Sequence, residues 1–396
     1  MEASLAELPL ECQKSKFDIP AQVHYLNCAY MGPIPRPVQA AGIGGIQRKA
    51  LPYQVTSSDF FIESDRARSL FARLLNAPDP NRVAIIPAAS YGIATAARNL
   101  PITRGQNIIV SAEQFPSNVH VWRKLARQHD AQLRVIEPGV GRSRGETWNA
   151  RVLDAIDDAT AIVALPHVHW TDGTRFDLEA IGERCREVGA ALIIDATQSL
   201  GALPFDLQRI GADAVICAAY KWLLGPYSLG LAWFGPRFDH GEPLEENWLA
   251  RRDSEDFRGL VNYQDEYQPG ALRYDMGERS NFILMPMLVA ALELILEWQP
   301  ARIQEYCRAL TRAALEEAVE LGFAVEKEAW RGAHLFGLRT PPGLDLDALQ
   351  LELQKRRIFA SLRGSALRIS PNVYNDREDM DALVDALGRA VSTLRR

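Results

Sequence analysis

Two hydrophobic periodicities take turns along the first 234 residues. Apolar runs of four to seven residues alternate with segments whose apolar positions recur at helical spacing. The runs at Val83–Ile86 and at residues 107–110, 133–136, 160–165, 190–194, 212–218 and 229–234 predict strands. Helices are expected at residues 92–99, 119–128 and 178–188. In the last of these, Leu178, Ile181, Cys185 and Val188 share one face, with Glu183, Arg184, Arg186 and Glu187 around the rest. Strands that are apolar almost throughout, alternating with amphipathic helices, predict an α/β fold with a mainly parallel sheet covered on both faces.

The pattern changes after Phe234. Residues 235–280 are polar, contain Gly and Pro, and show no period. Helices are expected at 286–298, 301–321 and 346–357, and strands at 323–325, 334–338 and 366–369. For the last helix, Asn375 is the expected cap and Glu378 the capping-box partner. Met380, Leu383, Leu387, Val391 and Leu394 form its apolar face. The expected organisation is an arm over residues 1–30, a large domain over 31–265, and a smaller α+β domain over 266–396 joined by part of the arm.

A chain of 396 residues suits two domains. Apolar residues at 47% and charged residues at 24% are ordinary for a soluble enzyme. The net charge of -6, with no Lys/Arg cluster, argues against a nucleic-acid partner. Five scattered cysteines suggest reduced thiols and a cytoplasmic setting. The acidic N-terminus does not read as a signal peptide. The richest apolar stretch, residues 282–298, is interrupted by Pro286 and Glu293 and reads as a core helix, so no membrane partner is expected.

Chemistry concentrates at residues 193–230, IIDATQSLGALPFDLQRIGADAVICAAYKWLLGPYSLG. Asp195 closes one apolar strand and Lys221 follows another. A cofactor aldehyde needs an amine to form a Schiff base, an anion beside its pyridine nitrogen and a cradle for its phosphate. Lys221, in apolar surroundings that depress its pKa, can supply the amine. Asp195, at the strand edge where parallel sheets place ligands, can supply the anion, and Gln198 a donor to the ring hydroxyl. The AAS turn before the 92–99 helix lets backbone approach an anion, through Ala89 and the hydroxyl of Ser90.

This segment resembles the signature of the class V aminotransferases, a branch of the fold-type I pyridoxal-phosphate enzymes that includes cysteine desulfurases, kynureninase and isopenicillin-N epimerase. YLNCAYMGPIP (25–35), AASYG (88–92), RYDMGERSN (273–281) and RISPNVYNDREDM (368–380) are similar to further motifs of that family. The resemblance implies a fold-type I architecture with a seven-stranded sheet, pyridoxal 5'-phosphate as cofactor, and a homodimer with shared active sites. It implies that Lys221 carries the cofactor, Asp195 pairs with the pyridine nitrogen, and Gln198 reaches the phenolic oxygen. It also implies that Phe115 stacks on the ring where desulfurases have histidine, and that Asn27 and Trp170 lie at the substrate. Arg279, Ser280 and Asn281 are its candidates for reaching the neighbouring subunit's phosphate, because Glu278 replaces the usual threonine.

Other positions have competing readings. His169 is a candidate for a polar catalytic role, while His167 reads equally as a core histidine. The pair offers no third ligand at helpful spacing, so no metal is expected. Tyr220 stands where many relatives have histidine; its hydroxyl can offset the serine lost at Ala218. Arg368 on an apolar strand suits a bidentate grip on an α-carboxylate, and Arg363 is open to the same argument with less force.

The expected reaction is aminotransfer through α-proton abstraction by Lys221, with C–S (β-elimination) lyase or epimerase as the alternative. RRIFASLRGSALRIS before the final motif holds no cysteine, which argues against a desulfurase. A non-catalytic member would be expected to have lost Lys221 or Asp195, and both are present.

Overall fold

The structure, a computed structural model, describes residues 9–139 and 143–392. Ahead of the main sheet lie β1 (His24–Tyr25), α1 (Arg36–Lys49) and α2 (Ile62–Leu75). Then follow β2 (Val83–Ile86), α3 (Ala89–Asn99), β3 (Asn107–Ser111), α4 (His120–Gln128), β4 (Gln132–Ile136) and α5 (Arg144–Ala155). They continue with β5 (Thr160–Pro166), α6 (Leu178–Val188), β6 (Ala191–Asp195), α7 (Leu207–Ile210), β7 (Ala214–Ala218) and β8 (Gly230–Phe234). The seven strands β2 to β8 form one sheet in the order β2-β8-β7-β6-β5-β3-β4. Only β8 opposes the rest, running antiparallel to both β2 and β7.

Side chains alternate between the two faces as strand geometry demands. Leu192 and Ile194 of β6 enter one buried cluster, with Val163, Val215 and Leu231. Ala191 and Ile193 enter another on the opposite face, with Ile162, Ile216 and Ala232. Each large aliphatic side chain sealed this way contributes roughly 1.5–3 kcal/mol. Apart from the edge strand β4, which keeps Gln132 and Arg134 and is partly exposed, the strands are covered on both faces and so read as nearly continuous apolar runs.

After the sheet come α8 (Leu284–Trp298), α9 (Pro300–Glu320), β9 (Phe336–Arg339), α10 (Leu346–Lys355), β10 (Ile358–Phe359), β11 (Ser361–Arg363), β12 (Ala366–Ile369) and α11 (Arg377–Ser392). Pro286 sits in the first turn of α8, where its missing N–H costs nothing. β11, β12 and β9 make a three-stranded antiparallel sheet over a third cluster that includes Leu315, Leu349 and Leu387. The N-terminal segment docks here: β1 pairs in parallel with β10, and Asn27 bridges to Ser370.

Several expectations need correction. α1, α2 and α5 were not foreseen. α1 shows no apolar stripe because it meets α8 through glycines: a Cβ on Gly45 would lie 2.3 Å from the Phe282 carbonyl oxygen. α5 buries Trp148 and Val152, with the Trp148 indole N–H on the Ile136 carbonyl at 2.7 Å and Asn149 donating to the Arg175 carbonyl at 3.0 Å. The strand expected at 323–325 reduces to a bridge between Ala324 and Arg339. The cap of α11 lies one residue later than expected. Asp376 accepts from the Asp379 N–H, and Asp379 accepts from the Asp376 N–H. Asn375 instead donates to the Tyr25 carbonyl and to Asp379. Leu394 lies outside the described residues.

Candidate active site

The C-terminal ends of β2, β3, β5, β6 and β7 and the N-terminal end of antiparallel β8 all meet one edge of the sheet. A cleft of about 380 Å³ opens there. Its walls come from the segments that leave or enter those strands: Ala88, Ala89 and Ser90; Gln114, Phe115 and Ser117; Val168 and Trp170; Asp195, Thr197 and Gln198; Tyr220 and Lys221; and Tyr227 to Leu229. Ligand sites at this edge follow from how such sheets are wound.

Lys221 is buried, 7% exposed. Burial pulls its amine down to about 8; Asp195 opposes that shift and Arg368 reinforces it. Its Nζ lies 5.5 Å from the ring centre of Phe115 and 5.5 Å from that of Tyr220. Asp195, one strand away, accepts the Thr197 N–H at 3.0 Å. Among the described residues neither Lys221 nor Asp195 has an ion-pair partner, although each faces the same cleft.

Gln198 is held from three sides. Its Oε1 accepts the Trp222 indole N–H at 2.9 Å and its Nε2 donates to the Ala29 carbonyl at 3.1 Å. Its own carbonyl accepts from His334 Nε2 at 2.9 Å. His334 stacks edge-on against Trp222 with centroids 4.5 Å apart, and burial lowers its pKa to about 4, so it stays neutral. The Trp222 contact fixes which end of the amide is oxygen and leaves the second N–H of Nε2 as the cleft-side donor. His334 gave no sign of this support role in the sequence, lying 136 residues from Gln198.

At the other end of the cleft α3 starts at Ala89 after an extended N-cap, Ala88, whose side chain offers no acceptor. The Tyr91 N–H turns back to the Ala88 carbonyl at 3.0 Å, which leaves the N–H groups of Ala89 and Ser90 open to an anion, with the exposed Ser90 hydroxyl beside them. Tyr220 is half-buried and stacks on Tyr227, centroids 4.7 Å apart; burial raises its pKa. Tyr227, Ser228 and Gln114 were missed by sequence reasoning. Only the antiparallel return of β8 brings the first two here.

Trp170 lines the cleft, its ring edge-on to Phe115 at 5.5 Å and its indole N–H on the Glu113 carbonyl at 2.7 Å. His169 does not join it. That ring is fully buried below, with Nδ1 at Thr171 (2.8 Å), Nε2 at the Ala112 carbonyl (3.2 Å) and Trp148 against its face. His167 is buried against Phe205, and burial lowers its pKa to about 3. Among the described residues no group of three metal-ligating side chains forms.

Arg368 stands behind Trp170 rather than on the cleft wall. It is 1% exposed and donates to the Trp170 carbonyl at 2.8 Å, with Asn27 and Ser361 each at 3.4 Å. Burial, reinforced by Arg363, lowers its pKa to about 10. Arg279, Ser280 and Asn281 lie outside this cleft. Arg279 pairs with Asp275 at 3.0 Å, Ser280 donates to the Phe60 carbonyl, and Asn281 accepts the N–H groups of Ile283 and Leu284 at the start of α8. None of the five cysteines lines the cleft; Cys28, Cys185, Cys217 and Cys307 are buried. No single described helix is long and apolar enough to cross a membrane.

Residues 54–322 match the family model described as aminotransferase class-V. An uncharacterised aminotransferase, YcbU, of Bacillus subtilis (strain 168) is 26% identical over 85% of this chain and 87% of its own. Isopenicillin N epimerase of Streptomyces clavuligerus is 27% identical over 81% of this chain and 83% of its own. The crystal structure of the cysteine desulfurase CsdA from Escherichia coli superposes with a TM-score of 0.80 at 20% identity, covering 96% of this chain and 98% of that one. The architecture is that of the fold-type I pyridoxal-phosphate enzymes.

The residues present fit that cofactor. A buried amine and a buried carboxylate face one cleft without neutralising each other, an aromatic wall stands beside them, and an uncapped helix N-terminus closes the far end.

Proposed function

The chain belongs to the class-V aminotransferase family and is a pyridoxal-phosphate enzyme acting on amino-acid-like substrates; from that premise we propose that it abstracts the α-proton of an amino acid with Lys221 and completes the reaction on that same molecule, by β-elimination, rather than passing the amino group to a second substrate. In this reading Lys221 also anchors the cofactor, Asp195 holds its ring nitrogen protonated, Gln198 donates to its phenolic oxygen, and Phe115 covers one face. Ala89 and Ser90 cradle the phosphate, with Tyr220 nearby. Arg368 takes the substrate carboxylate, with Asn27 and Trp170 beside it. When bound, the cofactor supplies an electron sink that labilises bonds at the substrate's α-carbon.

The observation that carries this reading is a base and an acid side by side. The Lys221 amine is the one basic side chain among the residues lining the cleft, and the Tyr220 ring lies 5.5 Å from it. Its depressed pKa leaves a useful neutral fraction near pH 7–8, so the amine can take the α-proton. The Cβ–leaving-group bond then breaks with its electron pair on the leaving group, and in this reading the Tyr220 hydroxyl, on a ring that lines the cleft, protonates it. Amino transfer has no leaving group to protonate and makes no use of that phenol.

The test is product analysis of the purified holoenzyme with amino acids bearing a β-leaving group. Elimination yields ammonia, an oxo acid and the freed leaving group with no added amino acceptor. Products that appear only when an oxo acid is added, with the amino group conserved on it, would restore the aminotransferase reading. Epimerisation is the second reading, favoured by the similarity to isopenicillin N epimerase. It predicts exchange of the α-hydrogen with solvent deuterium and an inverted centre, without ammonia.

A further inference from the structure

Arg363 and Arg368 are neighbours across β11 and β12, and each repels the other's charge. Among the described residues neither forms an ion pair with a carboxylate. The Nε of each is buried without a hydrogen-bond partner. Arg368 is buried and Arg363 half-buried, and a guanidinium left without a counter-charge in such surroundings is costly.

Both arginines meet the cleft through Trp170. The Arg363 guanidinium lies 5.6 Å from the centre of its indole ring, and Arg368 donates to its carbonyl. Arg363 donates through one terminal nitrogen to the Leu362 carbonyl at 2.8 Å and borders a hollow of about 470 Å³ beside Ser361, to which its remaining donors have access. Glu113, whose carbonyl accepts the Trp170 indole N–H, has its carboxylate on Arg144 at 2.7 Å, and Asp172 is paired with Arg144 and Arg339. Of the side chains lining the cleft, only Asp195 is acidic. Among the described residues, the two guanidiniums at the Trp170 end therefore have no carboxylate partner, in contrast to Arg82, which pairs with Asp239.

Resting on the reading that Arg368 takes the α-carboxylate, we infer that Arg363 is a second anion-binding group and that the substrate is an amino acid with a further anionic group on its side chain. One guanidinium fork grips one carboxylate. The second fork, stacked on the indole that walls the cleft, selects the distal anion and rejects neutral isosteres, which leave it desolvated and unpaired.

The experiment uses holoenzyme and probes that carry no amine and so cannot react at Lys221. Glutarate and succinate are compared with their monoamides by calorimetry at constant ionic strength. Each dicarboxylate is expected to bind about tenfold or more tightly than its monoamide, from one charge-assisted pair. Arg363→Gln is expected to shrink that preference to within about twofold, while Arg363→Lys keeps part of it through charge alone. Circular dichroism of both variants checks the fold, and Arg363→Lys keeps the test informative if the Gln variant misfolds. Equal binding of dicarboxylate and monoamide, no binding of either, or a preference unchanged in Arg363→Gln overturns the inference. If the cofactor still absorbs as bound and amino acids still perturb its spectrum, only the second-anion site has failed. If amino acids leave that spectrum unperturbed, the reading beneath it has failed too.

Discussion

Gly32 stands so close to the loop of Lys221 that a Cβ on it would lie 2.1 Å from the Lys221 carbonyl oxygen. The two residues are 189 positions apart (221 minus 32), and the Gly32 N–H also donates to the Tyr220 carbonyl at 2.9 Å. The N-terminal motif therefore shapes the turn that carries the amine.

Gly32→Ala must push that turn aside, because the contact is backbone and cannot rotate away. We expect a loss of about 1–3 kcal/mol in stability, the usual cost of overpacking, together with weaker cofactor retention. Chemical denaturation and cofactor titration measure both; wild-type values for both would show that the turn has slack.

The Lys221 amine, ordinarily near 10.5, is lowered to about 8. The folded chain therefore holds fewer protons than the unfolded chain between those pH values, and its stability rises with pH across that window. At pH 7, without cofactor, the buried charge costs up to about 3 kcal/mol. Lys221→Met should stabilise the cofactor-free protein by a large part of this at pH 7, and the gain should shrink as pH rises from 8 to 10.5. A gain of equal size at pH 7 and pH 10 would mean the amine carries no charge penalty. The same variant should show no borohydride-fixed cofactor by mass spectrometry.

Asp275 holds two buried arginines, Arg68 by its terminal nitrogens and Arg279 at 3.0 Å, and also accepts the Ile85 N–H at 2.8 Å. One carboxylate between two guanidiniums leaves the cluster with excess positive charge. Asp275→Asn should cost about 3–5 kcal/mol, because Arg279 loses its carboxylate partner and Arg68 keeps only the exposed Asp65 at 3.5 Å. Arg279→Met should fall within about 1 kcal/mol of wild type, because the Arg68–Asp275 pair survives. Thermal melts of the two variants check the order; a reversed order would place the cluster's stability in Arg279.

Ser90 adds a hydroxyl to the open N–H groups of α3. Ser90→Ala should weaken cofactor affinity only about three- to tenfold, one hydrogen bond's worth, since the backbone donors remain. Ser90→Asp should abolish binding by setting a like charge against the phosphate. Fluorescence titration separates the two, and full retention of affinity in Ser90→Asp would move the phosphate elsewhere.

The large sheet was legible because its strands are buried on both faces. Ile193 and Ile194 point to opposite clusters and both must be apolar. Helices that dock by another device were not. α1 packs through Gly42 and Gly45 and so writes no apolar stripe into the chain, while the face of α5 is short, Trp148 and Val152, and is interrupted by the buried polar Asn149. At the site, Asp195 and Lys221 line the cleft as their positions after strands suggested, and Gln198, Phe115 and Trp170 line it with them, the last two having been suggested by the family resemblance alone. His169 looked equally well placed but turns under the cleft edge, because Thr171 and the Ala112 carbonyl take both its nitrogens.

By itself the sequence determined the local facts: which segments are strands buried on both faces, and that an acid and a lysine follow two of them. These depend on neighbours within a few residues, and burial writes them as an uninterrupted apolar run. Tertiary structure alone decided that β8 runs backwards and delivers Tyr227 and Ser228 to the cleft. It also seated Gly32 against Lys221, placed His334 under Gln198, and left Arg363 and Arg368 beside Trp170 without an acid between them. Those contacts join residues tens to hundreds of positions apart, and a single chain's pattern carries no record of which distant partner a side chain meets.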